Sequence, residues 1–197
     1  MIFEEGNPDT GGEFHELKAY ILANLLWDVN ADVNKVMDDF LSGYYGNASK
    51  MIREYLDLLY EKMSQSGEKL IIYGTPVEEK ETFLSDSLIT VYNKIFDRAE
   101  LAVKDSPEIL EHVKKARLPV YYAMLEIARD EKTGKRGAFI AGNDNKLKPN
   151  PEIVNILYNF VYLCIHTNVS HIQEGRITPQ QYLETYTKFL TEVPDTK

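Results

Sequence analysis

Residues 48–63 decide the fold, and they read ASKMIREYLDLLYEKM. Their apolar side chains recur three or four residues apart, which is the spacing of one face of an amphipathic α-helix. The same spacing recurs in five further segments, at residues 33–41, 88–103, 109–127, 153–172 and 182–190. Together with the apolar segment 12–28, these patterns predict an all-α protein, a bundle of about six to seven helices.

Prolines indicate where several of these helices begin. A residue with a capping side chain precedes a proline at four places: Thr75-Pro76, Ser106-Pro107, Asn150-Pro151 and Thr178-Pro179. This pair suits a helix start, because the first residue caps the free N–H groups and the proline lacks one. Pro119 lies inside an apolar pattern instead, so it predicts a kink that frees the carbonyl group of Lys115.

Extended structure is expected at few places. Residues 70–73 read LIIY between glycines, and residues 1–3 offer a short strand at the N-terminus. The polar stretch 130–150 is longer than the roughly 12–15 residues of ordinary connections, which predicts either a mobile or a functional loop. The sequence thus predicts at most a short strand remnant at the N-terminus.

Composition excludes several classes of function. The 197 residues include 22 basic and 31 acidic side chains, a net charge of −9, which argues against nucleic-acid binding. Cys164 is the single cysteine, so an intrachain disulfide or a zinc site with several cysteines is excluded. The first residues resemble no signal peptide and no stretch is apolar enough to span a membrane, so the chain is expected to be soluble. No metal site and no cofactor motif is predicted.

Three segments carry a resemblance to a known family. Residues 12–28 read GEFHELKAYILANLLWD, and residues 38–48 read DDFLSGYYGNA, followed by IREYL at 52–56. Residues 110–122, LEHVKKARLPVYY, resemble it more weakly. These segments are similar to the junction between the last barrel unit and the C-terminal helices in a family of large secreted bacterial proteins. That family is a domain of unknown function whose barrel resembles α-glucuronidases and other glycoside hydrolases.

The resemblance implies a division of the chain and a role. Residues 1–28 would be the remnant of the last barrel strand, loop and helix, and residues 29–197 a C-terminal helical domain. The longer parent protein would be secreted or periplasmic, and the missing barrel domain would be the partner of this chain. The expected function is that of an accessory helical domain of a glycoside hydrolase that acts on a polysaccharide or glycan. The alternative is a non-enzymatic helical module for protein interaction or homodimerisation.

The same resemblance supplies candidate substrate-binding residues. Glu5, Asn7 and Glu13 would lie on or after the last barrel strand, at the end where barrel enzymes bind substrate. Glu4 and Glu5 point to opposite faces of an extended strand, so they do not form the carboxylate pair that a glycosidase needs. No catalytic residue is therefore predicted, and carbohydrate would be bound through the parent protein.

The remaining chemistry-bearing residues have structural interpretations. His166 and His171 are five residues apart, which places them on different faces of a helix, and Cys164 is expected in the core. Trp27 is expected to anchor the barrel to the helical region. The tyrosine pairs 44–45 and 121–122 favour packing over sugar stacking. Loss of the barrel would expose one side of the 12–28 helix, which predicts self-association through Phe14, Leu17, Ile21 or their neighbours.

Overall fold

The computed structural model describes residues 11–67, 74–142, 146–172 and 176–193, and these are predominantly helical. The all-α prediction is confirmed. The described residues form eight α-helices: α1 (His15–Trp27), α2 (Val33–Tyr45), α3 (Ser49–Ser66), α4 (Asp86–Ala102), α5 (Pro107–Ala116), α6 (Leu118–Glu131), α7 (Pro151–His166) and α8 (Pro179–Thr191). A 3₁₀ turn, Gly46–Ala48, joins α2 to α3. None of the helices in these ranges is long and apolar enough to cross a bilayer.

The eighth helix comes from the break at Pro119. Helix α5 ends at Ala116 and α6 begins at Leu118, so the single kinked helix expected over 109–127 is two helices. Proline lacks the N–H that would continue the helical hydrogen bonding, and it lies in the first turn of α6, where that N–H is not required. The Arg117 guanidinium links this junction to α4, because it donates hydrogen bonds to the carboxylates of Asp97 and Glu100, at 2.8 Å each.

Three of the four predicted proline starts open helices. Pro107, Pro151 and Pro179 are the first residues of α5, α7 and α8. The start predicted at Thr75-Pro76 is wrong, because residues 76–84 form successive turns and α4 begins only at Asp86. That segment is polar and buries only Phe83, so it lacks the apolar face whose packing stabilises a helix in a protein.

The helix expected over 153–172 is shorter than predicted. It ends at His166, and Asn168 adopts a left-handed conformation with φ 57°. The N–H groups of Asn168 and Val169 donate back to the carbonyls of Ile165 (3.2 Å) and Cys164 (2.8 Å), which is the pattern of a Schellman motif. Beyond it, Ile172 forms an isolated antiparallel bridge with residue 177.

The long polar stretch contains an unpredicted β-hairpin. Strand β1 (Phe139–Ala141) pairs antiparallel with β2 (Leu147–Pro149), with Ile140 opposite Lys148. Ala138 and Phe139 are fully buried in the protein, so the described part of 130–150 is packed structure and not a free loop. The strand candidates at 1–3 and 70–73 lie outside the described residues.

Two hydrophobic cores organise the helices. The first core lies among α1–α5 and includes Ile52, Tyr55, Tyr92, Phe96 and Ala99. The second core lies among α6–α8 and the hairpin and includes Leu125, Leu157, Phe160, Tyr182 and Tyr186. Helix α6 belongs to both, since Val120 and Ile127 pack into the first core and Leu125 and Ala128 into the second. The candidate site lies where these cores meet.

Candidate functional site

A cavity of about 320 Å³ lies between the first and second cores, and we call it the inter-core cavity. The start of α1, the end of α2, the α5–α6 junction, α7 and the segment 169–172 contribute to its wall. The side chains that the wall presents are mainly apolar or aromatic, with a few ionisable groups. The wall includes Glu13, Glu16, Tyr44, His112, Lys115, Pro119, Tyr122, Phe160, Cys164 and Val169.

Glu16 is the most heavily engaged ionisable residue of the cavity wall. Its Oε1 accepts a hydrogen bond from the Lys115 Nζ at 2.5 Å, and its Oε2 lies 3.2 Å from the His15 Nδ1. Burial alone would raise the pKa of Glu16, but the hydrogen bond and the charge of Lys115 outweigh it, and the pKa is lowered. Glu16 and Lys115 therefore form an ion pair that joins α1 to α5.

Tyr44 and His112 form a stacked pair beside this ion pair. Their ring centroids are 3.8 Å apart and the rings are nearly parallel, at 5°. Since the His112 Nδ1 lies 2.9 Å from the carbonyl oxygen of Tyr44, Nδ1 carries the proton and donates. The pKa of Tyr44 is raised to about 12. Burial is the main cause, and the charge of Glu16 and a hydrogen bond to Glu16 add to it. The tyrosine is thus neutral at physiological pH.

Glu13 is the one predicted substrate-binding residue that the structure places. It lies on the cavity wall, just before α1, while Glu5 and Asn7 lie outside the described residues. No described residue donates a hydrogen bond to its carboxylate or forms an ion pair with it. Glu13 keeps access to solvent, yet desolvation raises its pKa and the charge of Lys18 opposes this only in part.

Two unusual backbone conformations bring Glu13 to the cavity. Gly11 has φ 100°, and a Cβ atom there would lie 2.6 Å from the Val169 Cγ2, so only glycine fits. Phe14 adopts a left-handed conformation at φ 48° and buries its ring in the first core. The chain therefore contacts the segment after α7 at Gly11 and enters α1 at Phe14, and Glu13 lies between these two residues.

The other candidate residues, Cys164 and His166, lie in packed or paired environments. Cys164 is buried, and burial raises the pKa of its thiol to about 12, so a nucleophilic thiolate is disfavoured. The His166 Nε2 lies 3.7 Å from the Glu111 Oε2, and the His166 ring stacks on the ring of Tyr162. Within the described ranges no three histidine, cysteine or acidic side chains are grouped as a metal site would require.

Both members of the first tyrosine pair and one member of the second line the cavity. Tyr44 and Tyr45 both contribute to its wall, and Tyr45 is also buried in the first core. Tyr121 lies beneath the Arg117 guanidinium at 5.0 Å, while Tyr122 lines the cavity and stacks on Phe160 with centroids 6.2 Å apart. Of the residues in the cavity wall, the sequence indicated Glu13, and its role in binding stays a prediction. His112 and Lys115 were not indicated, because their contacts join residues that are distant along the chain.

A second feature is an apolar surface at the C-terminal end of α1, which we call the α1 apolar surface. It consists of Leu22, Leu26, Trp27 and Val29, and Trp27 is 94% exposed and Val29 77%. The residues predicted to be exposed here were different. Phe14 and Leu17 are buried and Ile21 packs against the first core, because this side of α1 faces the remaining helices. Trp27 anchors nothing within the described residues.

Comparison with known proteins gives one match. The model of a family described as Domain of unknown function (DUF4838) matches residues 1–57. This segment includes α1, α2 and the first half of α3, so the predicted resemblance of the N-terminal part to a domain-of-unknown-function family is confirmed. No curated protein and no solved structure matches the chain.

Proposed function

We propose that this chain is a non-catalytic accessory helical domain of a larger, secreted glycoside-hydrolase-like protein. In this proposal α1 packs against a (β/α)₈ barrel that precedes the helical domain in the same polypeptide. The barrel binds and hydrolyses the glycan. The helical domain supports the barrel from the side.

The α1 apolar surface is the observation that carries the proposal. Four large apolar side chains at positions 22, 26, 27 and 29 are exposed together, and the largest of them, Trp27, is almost fully accessible. Exposed apolar clusters of this kind mark surfaces that a partner covers. A tryptophan at such a place is also the residue type most enriched among the anchors of interfaces.

The occupant is inferred from the N-terminal segment. Residues 12–28 resemble the last helix of a barrel, and such a helix has one side against the barrel strands. The family match over 1–57 includes all of α1. The helix also has its other side in the first core through Leu17 and Ile21, so it is suited to lie between two packed units.

The carboxylates of the described residues support a non-catalytic role. Glycoside hydrolysis requires one carboxyl group as an acid and a second one as a nucleophile or base. Of the two carboxylates in the described cavity wall, Glu16 is engaged by Lys115 and His15, so it does not complete a catalytic pair with Glu13. We therefore expect the isolated chain to release no product from aryl glycosides or from oligosaccharides that contain uronic acids.

The proposal is tested with the region encoded directly upstream in the same reading frame. That region should encode a barrel-sized domain, and the purified domain should bind the 197-residue chain in titration calorimetry. Trp27→Asp should weaken this binding at least tenfold, because it places a charge in an apolar interface. Leu101→Asp is the matched control, since Leu101 is also exposed (67%) but lies at the end of α4.

Two results would contradict the proposal. One is a reading frame with no upstream domain, and the other is binding that Trp27→Asp leaves unchanged. Self-association of the isolated chain that Trp27→Asp abolishes, with no binding of an upstream domain, would support the alternative of a homodimerisation module.

A further inference from the structure

The inter-core cavity has the size of a small-molecule site. Pockets for small ligands usually measure about 300–1,000 Å³, and this cavity of about 320 Å³ falls at the lower end. It lies at the N-terminal end of α1, whereas the α1 apolar surface lies at the other end. Since α1 has 13 residues, its ends are roughly 20 Å apart. The cavity is thus separate from the proposed docking surface.

The wall of the cavity is suited to a flat apolar group. Tyr122 and Phe160 stack on one side, and Tyr44 lies on another, where its ring already stacks on those of His112 and Phe40 and completes the aromatic wall. Pro119 and Cys164 add apolar surface between them. Aromatic faces of this kind attract cations as well as apolar rings, because the face of the ring carries negative electrostatic potential.

Three hydrogen-bond donors of the cavity wall, on Lys115, Tyr44 and His112, are already engaged. Lys115 and Tyr44 both direct their donors to Glu16, so neither is free for an anionic ligand. The His112 Nδ1 already donates to the Tyr44 carbonyl. Within the described residues the Glu13 carboxylate has no hydrogen-bond or ion-pair partner, and the charge of Lys18 offsets its own charge only in part.

We infer that the inter-core cavity binds a small organic cation, an apolar or aromatic group that carries an ammonium. The ring lies among Tyr44, Tyr122 and Phe160, and the ammonium donates to the Glu13 carboxylate. A carboxylate or phosphate ligand is disfavoured, because it would meet Glu13, and Lys115, the lysine of the described cavity wall, is already paired with Glu16. The Glu13 carboxylate supplies a partner of opposite sign, and hydrogen bonds between charged groups are stronger than neutral ones.

Three probes with nearly the same apolar part test this inference. They are 2-phenylethylammonium, which is cationic, 2-phenylethanol, which is neutral, and 3-phenylpropionate, which is anionic. Titration of the intact 197-residue chain, followed by calorimetry and by NMR of the aromatic side chains, measures the affinity for each. We expect the cation to bind about tenfold more tightly than the alcohol, since a hydrogen bond between charged groups contributes that much. The anion should bind most weakly.

Variants locate the site. Glu13→Gln should weaken the binding of 2-phenylethylammonium about tenfold and leave that of 2-phenylethanol unchanged, because only the charge is lost. Glu13→Lys should reverse the preference in favour of 3-phenylpropionate. Glu184→Gln is the matched control, because it removes one negative charge from an exposed position on α8 and should change no affinity.

The inference is overturned by any of three results in folded protein, as judged by circular dichroism. These are failure of the cation to bind at millimolar concentration, equal or tighter binding of the anion, and an equal response to Glu13→Gln and Glu184→Gln. Because no described residue forms a hydrogen bond or an ion pair with the Glu13 carboxylate, and folding is checked separately, loss of binding in its variants reports on the ligand.

Discussion

Helices α1 and α8 have the same length, 13 residues, but they depend on their surroundings in different ways. Helix α8 buries Pro179, Tyr182, Tyr186 and Leu190, whereas α1 buries only Leu17. Helix α8 also begins with a complete capping box, but α1 begins at a left-handed Phe14 without any side-chain cap. The difference shows that α8 is packed more fully than α1 within the described residues, and it agrees with the proposal that a partner covers α1.

The largest difference should appear when one side chain is truncated in each helix. Tyr186→Ala should lower the free energy of unfolding by about 3–5 kcal/mol, because it removes a fully buried ring from the second core. Leu26→Ala on α1 should change it by less than about 0.5 kcal/mol, since that side chain is half exposed. Urea unfolding monitored by circular dichroism measures both. Similar losses in the two variants would show that α1 is packed in solution.

The hydroxyl group of Tyr186 separates packing from hydrogen bonding in the same experiment. It donates to the carbonyl oxygen of Leu125 at 2.8 Å. Tyr186→Phe keeps the ring and should cost only about 1 kcal/mol. A loss as large as that of Tyr186→Ala would contradict the assignment of most of the stability to the buried ring.

The second prediction compares the two sides of α1. Leu17→Ala should destabilise the protein by about 2–3 kcal/mol, because Leu17 is the buried residue that attaches this helix to the first core. Leu22→Ala serves as its control, since the same substitution on the outer side creates no cavity. Hydrogen exchange of the α1 amides should accelerate in the Leu17 variant alone. Equal acceleration in both variants would mean that the two sides of α1 are equivalent.

The third prediction concerns the cap of α8. The Thr178 Oγ1 accepts from the Gln181 N–H at 3.3 Å, and the Gln181 side chain accepts from the Thr178 N–H at 2.9 Å. Thr178→Ala should therefore cost about 1 kcal/mol in thermal or urea unfolding. Thr178→Ser keeps the oxygen and should restore most of the stability. If Thr178→Ala and Thr178→Ser behave alike, the cap does not support α8.

The sequence predicted α8 better than it predicted the surroundings of α1. The Thr178-Pro179 start and the capping box are local signals, and the structure shows both. The break at Pro119 was also visible, because proline acts on its own turn. The end of α7 was not, since the left-handed Asn168 carries no strong local signal, and neither was the hairpin at 139–149, whose strands have three residues each.

The cavity could be predicted only in part. Glu13 was identified from its place in a resembling segment, but its partners in the wall lie far away in sequence. Lys115 is 99 residues from Glu16, and His112 is 68 residues from Tyr44. Such contacts arise from how α1, α2 and α5 pack together, which periodicity within one helix does not determine.

The smallest expected effect is a difference between Glu16 and Glu13, the two glutamates at the start of α1, in how each changes stability with pH. The folded pKa of Glu16 is lowered from its ordinary 4.5, so its stabilising contribution is present above that value and is lost as the pH falls through the folded pKa. Glu16→Gln should therefore be less stable than the parent chain at neutral pH, by about 1 kcal/mol or less. The deficit should shrink on acidification below pH 4.5.

Glu13→Gln should change the free energy of unfolding in the opposite direction to Glu16→Gln. The pKa of Glu13 is raised, so the parent chain loses stability as the pH rises from 4.5 through the folded pKa. The glutamine variant should consequently be slightly more stable than the parent at neutral pH and equal to it in acid. Unfolding curves across this pH range test both variants. If Glu13→Gln and Glu16→Gln change the free energy of unfolding in the same direction at neutral pH, the opposite pKa shifts of the two glutamates are contradicted.

The central claim, that a preceding domain covers the α1 apolar surface, is tested most directly at Trp27. Trp27 is the only tryptophan of the chain, so incorporation of 5-fluorotryptophan gives a single ¹⁹F resonance at the surface in question. In the isolated chain this resonance should shift between H₂O and D₂O as an exposed group does, because the side chain is 94% accessible. When the unlabelled upstream domain is added to saturation, we expect the resonance to move and its solvent shift to disappear. A resonance that keeps its full solvent shift at saturation would contradict the claim.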